Sequence, residues 1–281
     1  MGILNATPDS FFDQGSCFGL EKALEKGKAI LEEGADIIDI GGVSTRPGAE
    51  DVSYEEEKRR TLPLIKALST FASLKKVAIS IDTSNPNIAE KAIEEGATLI
   101  NDIRGFDNPE MRKVAKKSHA RLCVMHMQGT PKTMQHHPIY LRGVIVELME
   151  WFDKRIDLLL GEGIDSSQII LDPGIGFGKT LEDNLTILKN LSVFHSLGFP
   201  ILIGLSRKSF QSKILNKPPT QLLSTTIALN TMSILEGAEI IRVHDVKEHR
   251  DVIDALHFLG KFETCPTTTL LHRCSRSSSS R

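Results

Sequence analysis

The chain has almost no net charge and no long apolar segment. Its formal net charge is −2 over 281 residues, which gives no general attraction to nucleic acid or to an anionic membrane. No run approaches the roughly 18 apolar residues that suggest a membrane span. Residues 1–5 carry no basic stretch of the kind that opens a secretory signal. We therefore expect a cytoplasmic protein that binds neither nucleic acid nor membrane.

Cysteine is also scarce, and none of the four cysteines forms a C-x-x-C pair. Cys123 lies inside an apolar run, where a small apolar filler is the simplest interpretation. Reduced thiols are typical of cytosolic proteins. The hydrophobic fraction of 40% and the charged fraction of 25% are those of an ordinary globular protein. The length fits one α/β barrel, which commonly needs about 250 residues.

Eight short apolar runs recur along the chain, and most of them end in a polar or charged residue. Such runs are typical of parallel strands that are buried on both faces. Helical patterns fill the gaps, so the alternation predicts a (β/α)8 TIM barrel, with an open doubly wound sheet as the alternative. The runs cover residues 2–4, 37–40, 77–81, 99–100, 122–125, 169–171, 201–205 and 240–243.

Apolar periodicity and capping residues predict eight helices, at 20–33, 54–68, 86–95, 109–117, 141–160, 181–191, 222–235 and 247–259. Residues 7–19 and 44–53 are long loops rich in Gly, Pro, Ser and Asp, and such loops are usually functional or disordered. The domain prediction is a barrel over residues 1–262 and a disordered tail over 263–281. Deleting that tail should leave thermal unfolding and turnover unchanged, because its Ser/Thr/Arg composition buries little apolar surface.

Three polar residues close apolar runs: Asp82, Asn101 and Asp172 end the third, fourth and sixth. The carboxyl ends of barrel strands meet on one rim. Carboxylates and an amide at the base of an apolar pocket suit a heterocycle that carries amino and ring N–H donors. Each residue alone is equally consistent with capping a helix or bracing a loop. Their convergence on one rim favours binding.

Basic residues stand at the ends of the last two runs, with Lys208 after the seventh, Arg242 within the eighth and His244 directly after it. Barrel enzymes frequently bind phosphate near these loops, so the set suits a diphosphate, with a solvated basic cluster as the alternative. Asn5 ends the first run and offers a carbonyl oxygen. Magnesium often takes only one or two protein oxygens together with substrate phosphate.

Two apparent motifs fail on spacing. In residues 172–180, Pro173 stands where a Walker loop needs Gly, and the alternate glycines do not fit G-x-G-x-x-G. We interpret this stretch as a tight turn that lets a flat ligand approach the backbone. His126, His136 and His137 match no standard zinc spacing and are interpreted as solvated loop residues.

Eight ordered stretches resemble the signatures of the dihydropteroate synthase family, over residues 1 to about 260. They are MGILNATPDSF, GGVSTRPG, IDTS, NDIR, MHMQG, DPGIGFGK, SRKS and IRVHD. The resemblance implies a (β/α)8 barrel that uses Mg²⁺ and joins 6-hydroxymethyl-7,8-dihydropterin diphosphate to 4-aminobenzoate. It implies a dissociative reaction in which the long loops close over the amine.

The resemblance also implies roles by position. The pterin edge meets Asp82, Asn101 and Asp172, with Lys208 beside it; Lys208, Asp82 and Arg242 are the catalytic residues that it implies. The diphosphate meets Thr45, Arg242 and His244, and magnesium touches Asn5. The aminobenzoate pocket, which sulfonamides also occupy, is formed by Phe11, Arg46, Pro47, Phe177 and Ser209.

The chain departs from the family pattern in three places. Val43 stands where a Glu usually precedes Ser-Thr-Arg-Pro, and Phe12 replaces a small polar residue. The N-terminal segment that closes the barrel floor in the family is missing before Gly2, so we expect a barrel that lacks it and is less stable. A fragment, an alternative start and a fused pathway enzyme all stay open, as does a homodimer. The alternative functions are a pterin-dependent methyl transfer domain and a catalytically silent pterin-binding or scaffolding domain.

Overall fold

The computed structural model describes residues 1–7, 17–44 and 52–261 of the chain. Within these ranges, eight parallel strands alternate with helices, as the apolar runs predicted. The strands are β1 (Gly2–Asn5), β2 (Ile37–Gly41), β3 (Ala78–Asp82), β4 (Leu99–Asp102), β5 (Arg121–Met125), β6 (Ile169–Asp172), β7 (Leu202–Ile203) and β8 (Ile240–Ile241).

All eight predicted helices are present in the described ranges, together with one that the sequence did not predict. The additional helix, α7, has seven residues, which is too short to show an apolar period. The helices are α1 (Cys17–Glu32), α2 (Tyr54–Lys75), α3 (Pro86–Glu94), α4 (Pro109–Ser118), α5 (Val144–Gly161), α6 (Leu181–Lys189), α7 (Ser209–Leu215), α8 (Leu223–Leu235) and α9 (Val246–Phe258).

Strand order decides between a barrel and an open sheet. β1 to β6 pair in chain order, and β7 pairs with β8, all in parallel. Single bridges join the two groups, between Leu171 and Ile201 on one side and between Gly2 and Val243 on the other. An open doubly wound sheet would reverse its strand order and leave two edges. The eight strands form a (β/α)8 barrel.

Two apolar layers hold the barrel together. The larger lies between the strands and the surrounding helices and includes Leu4, Ile38, Ile81 and Leu171. A smaller cluster combines residues from different strands, including Leu99, Ile170 and Cys123. Cys123 is fully buried there, which confirms the filler interpretation. This packing leaves the carboxyl ends of the strands as the place where polar side chains meet.

The predicted loops and tail fall largely on residues outside the described ranges. Residues 8–16, 45–51 and 262–281 lie outside them, so the tail prediction and most of both long-loop predictions stay predictions. Among the helices that are described, none combines the length and apolar composition needed to cross a bilayer.

Candidate active site at the carboxyl ends of the strands

A cavity opens where the carboxyl ends of the strands converge. Its wall takes side chains from at least five strands and the loops that follow them, which is the arrangement expected of a barrel enzyme. Eight of the residues predicted from the sequence line it: Asn5, Asp82, Asn101, Asp172, Phe177, Lys208, Arg242 and His244.

The floor of the cavity is an ion-pair network centred on Arg242. Its Nε donates to Asp39 Oδ2 at 2.6 Å, and its Nη2 donates to Asp82 Oδ2 at 2.9 Å. Asn101 Nδ2 donates to the same Asp39 oxygen at 3.1 Å. Burial raises the pKa of the Asp82 carboxyl, and Asp39 adds to that rise. Burial disfavours the Arg242 charge, but Asp39 and Asp82 more than offset this and raise its pKa.

Asp39 is a site residue that the sequence analysis missed. It lies inside the second apolar run rather than at its end, and its side chain is fully buried. A carboxylate within a run of Ile residues was the available signal, because a charge in such a strand needs a partner. Arg242, that partner, follows it by 203 residues.

Asp172 and Lys208 line the cavity together, and the charge of each acts on the other. Asp172 Oδ1 accepts the Gly174 N–H at 2.7 Å, which leaves the second carboxylate oxygen for a ligand. Burial raises the pKa of Asp172 and lowers that of Lys208 to about 8. The Lys208 Nζ lies 4.1 Å from the centre of the Phe177 ring, within cation–π range.

His244 contributes a neutral hydrogen-bonding group rather than a third cation. Its Nδ1 lies 2.9 Å from Ser206 Oγ, and burial lowers the pKa of its imidazole to about 3. The positively charged side chains that line the cavity are Lys208, Arg242 and Arg207, and Arg207 donates to Asp245 Oδ1 at 2.9 Å. Ser206, another residue that the sequence analysis did not single out, lines the cavity as well.

The glycine-rich loop (residues 173–179) packs against the chain that follows β5. A Cβ on Gly174 would lie 2.0 Å from the His126 carbonyl oxygen, and one on Gly178 would lie 2.4 Å from the Gln128 carbonyl oxygen. Both glycines have positive φ, +68° and +62°. The tight turn predicted from the sequence is present, but at these two positions the group that approaches is a neighbouring backbone.

A buried lysine–histidine pair holds this loop in place and corrects one prediction. His126 was expected to be a solvated loop residue, yet only 6% of it is exposed, because Trp151 and Lys179 cover its ring. Lys179 Nζ lies 3.0 Å from His126 Nδ1 and donates to the Phe177 carbonyl oxygen at 3.1 Å. Burial lowers the pKa of His126 to about 2 and that of Lys179 to about 7.

The remaining histidines and the other predicted site residues lie elsewhere. His136 and His137 are exposed, as expected, and the described ranges contain no cluster of three His, Cys, Asp or Glu side chains suited to a metal ion. Ser209 is exposed at the first residue of α7 and does not line the cavity, because the chain turns into that helix directly after Lys208. Four predicted residues lie outside the described ranges: Phe11, Thr45, Arg46 and Pro47.

Comparison with known proteins agrees with this geometry. The family model described as "Pterin binding enzyme" matches residues 1–244. The dihydropteroate synthase of Escherichia coli (strain K12) is 44% identical over 248 residues, which cover 88% of this chain and 86% of that protein. A probable bifunctional folylpolyglutamate synthase/dihydropteroate synthase of Haloferax volcanii is 38% identical over 89% of this chain and 29% of its own length.

A solved structure extends the likeness to the whole barrel. The Yersinia pestis dihydropteroate synthase, determined in complex with a sulfonamide drug, superposes with a TM-score of 0.86 at 41% identity. The match covers 93% of this chain and 94% of that one. The chain belongs to the dihydropteroate synthases, transferases of folate biosynthesis within the family of pterin-binding enzymes.

Proposed function

We propose that the cavity condenses 6-hydroxymethyl-7,8-dihydropterin diphosphate with 4-aminobenzoate, giving 7,8-dihydropteroate and diphosphate. The C–O bond between the pterin methylene and the diphosphate breaks, the amine nitrogen forms a C–N bond to that carbon, and the amine loses a proton. One observation carries the proposal: hydrogen-bond acceptors and cations line the same cavity, so a heterocycle and its diphosphate fit in it together.

The acceptors suit the edge of a pterin. Asp172 has one carboxylate oxygen beyond the Gly174 N–H, and Asn101 offers an amide oxygen, since its Nδ2 is taken by Asp39. Amino and ring N–H groups of a pterin would donate to these oxygens. Met125 and Phe177 belong to an apolar cluster beside the cavity and would lie against the flat ring.

Lys208 and Arg242 suit the leaving diphosphate. Both groups are cationic at neutral pH, because the pKa of Lys208 is about 8 and that of Arg242 is raised. Preorganised charge of this kind stabilises negative charge that develops in a transition state. His244 would donate a hydrogen bond to a phosphate oxygen from its neutral ring. We assign the catalytic roles to Lys208, Asp82 and Arg242.

Asn5 is the residue that would hold Mg²⁺. It ends β1 and lines the cavity, and its amide oxygen is the kind of hard ligand that magnesium prefers. One protein oxygen fits an ion that is bound mainly by substrate phosphate. Bound there, magnesium would supply positive charge to the departing diphosphate.

The aminobenzoate pocket would lie at the Phe177 side of the cavity. Phe177 and the Lys208 ammonium over its ring form the described wall. The other wall would come from residues 11 and 45–47, which lie outside the described ranges. Ser209, exposed at the start of α7 and directly after Lys208, would belong to the same pocket.

Diphosphate release tests the proposal directly. Purified protein mixed with the pterin diphosphate, 4-aminobenzoate and magnesium should release diphosphate, and omission of the amine should abolish product formation. Asp172→Asn removes the carboxylate charge that would accept the N–H groups of the pterin, and it should reduce the rate of diphosphate release. Pterin binding without turnover would instead support a catalytically silent binding domain. The departure that favours this alternative is Val43, which lines the cavity and stands where the family pattern usually has a Glu. Cobalamin-dependent methyl transfer would support the other alternative.

Assembly and location are further proposals. We propose a homodimer, to be tested by light scattering coupled to gel filtration, and a cytoplasmic location, to be tested by cell fractionation. A monomer at micromolar concentration or recovery in another fraction would overturn them. A fusion to a second folate-pathway enzyme has a parallel in the bifunctional Haloferax protein.

A further inference from the structure

Arg242 has two carboxylate partners that differ sharply in their surroundings. Asp39, bound to Nε, is fully buried, whereas Asp82, bound to Nη2, has 13% of its side chain exposed and lines the cavity. The Arg242 side chain is 21% exposed. One arm of the arginine is therefore fixed below the cavity floor, and the other lies where a ligand arrives.

The hydrogen bonds of Asp39 show that Arg242 cannot leave it. Both donors to this carboxylate, Arg242 Nε and Asn101 Nδ2, use the same oxygen, Oδ2. The other oxygen, Oδ1, is buried and has no hydrogen-bond partner among the described residues. Separation from Arg242 would strand an ionised carboxylate in the barrel interior, which is strongly destabilising.

Asp82 can exchange its partner at much lower cost. It has access to the cavity, so substrate N–H groups can replace the guanidinium as donors to Oδ2. The diphosphate can in turn accept from Arg242 Nη2 in place of Asp82. Asp82 then keeps a hydrogen-bond donor and Arg242 keeps an anionic acceptor, so neither group loses its partner.

We propose that Asp39 is a positioning residue that anchors Arg242, and that Asp82 is an exchangeable partner, released to the pterin when the diphosphate takes over the outer guanidinium nitrogen. The proposal rests on the assignment of the cavity to a pterin diphosphate. It makes the two halves of the substrate cooperative, because the diphosphate half frees an acceptor for the pterin half. It also gives Asn101 a fixed orientation, since its Nδ2 is held by the same anchor.

The test separates the two halves of the substrate and reads binding alone. Calorimetric titration with 6-hydroxymethylpterin, with and without saturating inorganic diphosphate and magnesium, measures their coupling. In the wild type, diphosphate should tighten pterin binding by about fivefold or more, within the range usual for coupled sites. Asp39→Asn leaves Asp82 as the only ionised partner of Arg242, so the coupling should fall below about twofold. Equal coupling in both proteins would overturn the proposal.

A second variant keeps the test decisive if Asp39→Asn does not fold. Lys has one ammonium nitrogen in place of the two guanidinium nitrogens that bind Asp39 and Asp82 separately, so in Arg242→Lys it should stay with buried Asp39 and leave Asp82 free. The variant should then bind the pterin fragment alone at least as tightly as the wild type, with no gain from diphosphate. If the ion pairs of Arg242 were only structural, Arg242→Lys should instead lose affinity for the pterin both with and without diphosphate.

The matched control is Asp36→Asn. Asp36 pairs with Arg250 at 3.8 Å, and 59% of its side chain is exposed, away from the cavity. It should retain wild-type coupling, whereas a loss there would trace the effect to general charge and contradict the proposal. Because these titrations need no turnover, their outcome is independent of whether diphosphate is released in the full reaction.

Discussion

Lys208 and Asp172 show at the scale of single residues how burial sets the charge available to a ligand. Burial lowers the pKa of the lysine and raises that of the carboxyl, and each residue partly offsets the shift of the other. The charges of Lys208 and Asp172 therefore cannot be read from their residue types alone. Both depend on pH and on the partner, which makes them open to measurement.

The Lys208 shift predicts an alkaline limit to substrate binding. With a pKa of about 8 in the free protein, the ammonium is charged below pH 8 and neutral above it, so attraction to the diphosphate should weaken as pH rises through 8. The dependence of kcat/KM on pH reports this ionisation of the free enzyme. In Lys208→Arg, the guanidinium stays charged, and the alkaline limb should move to higher pH. An unmoved limb would assign it to another group.

Asp172→Asn should weaken pterin binding at least about tenfold with little change in melting temperature. The Gly174 N–H requires an acceptor, so the amide oxygen would stay with it, and the amide NH₂ would face the N–H donors of the pterin. Loss of a charge-assisted bond costs roughly 1.5–3 kcal/mol. Titration calorimetry measures the change.

Asp165→Asn is the matched control for that substitution. Asp165 accepts the Ser167 N–H at 2.8 Å, the same bond to the second following residue, but it is exposed and far from the lining residues. Its affinity for pterin should equal that of the wild type. If both variants bind the pterin equally well, Asp172 does not contact it.

At the scale of elements, the conformation of the glycine-rich loop is determined by its close contact with the chain that follows β5. Gly174→Ala should cost more stability than Gly176→Ala, although both have positive φ. The Gly176 substitution brings a Cβ to 3.5 Å from Lys208, an ordinary contact, so only the backbone strain of about 1–2 kcal/mol applies. At Gly174 the Cβ would meet a backbone carbonyl at 2.0 Å, so one of the two loops must move.

Chemical denaturation and pterin titration of the two variants check this. Gly174→Ala should also lose pterin affinity, since Gly174 binds Asp172 and lines the cavity. Equal losses of stability in both variants would mean that conformational strain alone requires these glycines.

The last two strands are the elements that the sequence predicted least well. The apolar runs at 201–205 and 240–243 become ladders of two residues each, Leu202–Ile203 and Ile240–Ile241. The flanking Ile201 and Val243 make single bridges to neighbours on the other side. Hydrophobicity fixes which residues are buried, but not how many of them pair with a given neighbour, because pairing depends on how the ring closes.

At the scale of the whole molecule, the sequence predicted the barrel and most of the polar side chains that line the cavity, since polar residues at the ends of apolar runs mark the rim directly. The sequence did not predict the site role of Asp39 or the burial of His126, because the residues that surround them come from distant segments of the chain. Arg242 neutralises Asp39 across 203 residues, and Lys179 covers His126 across 53. Local patterns contain no information about such partners.

Stability should depend on pH through buried Lys179. Its pKa is about 7 in the folded protein against 10.5 as the ordinary value, so between these values the unfolded chain binds more protons than the folded one. Stability from this group therefore rises with pH above 7, on the order of 1 kcal/mol per pH unit, and its full cost is present below pH 7. Lys179→Met should lack this slope in the free energy of unfolding.

Urea unfolding of both proteins from pH 6 to 10 measures the difference. Lys189→Met, which removes an exposed lysine from the helix after the same loop, should keep the wild-type slope. Parallel curves for wild type and Lys179→Met would show that the lysine is not buried as a charge.

The order in which the ring closes has a consequence for the protein as it is made. Asn5 ends the first strand, Arg242 and His244 follow the eighth, and Gly2 bridges to Val243. During vectorial synthesis on the ribosome, the first strand leaves the exit tunnel long before its neighbour at the seam exists. A nascent chain that stops before β8 lacks Arg242 and His244, so substrate meets its full set of partners only when the last strand is in place. A ligand that needs the complete cavity stabilises the closed ring by mass action, so the concentration of substrate should act mainly on the lifetime of the finished barrel.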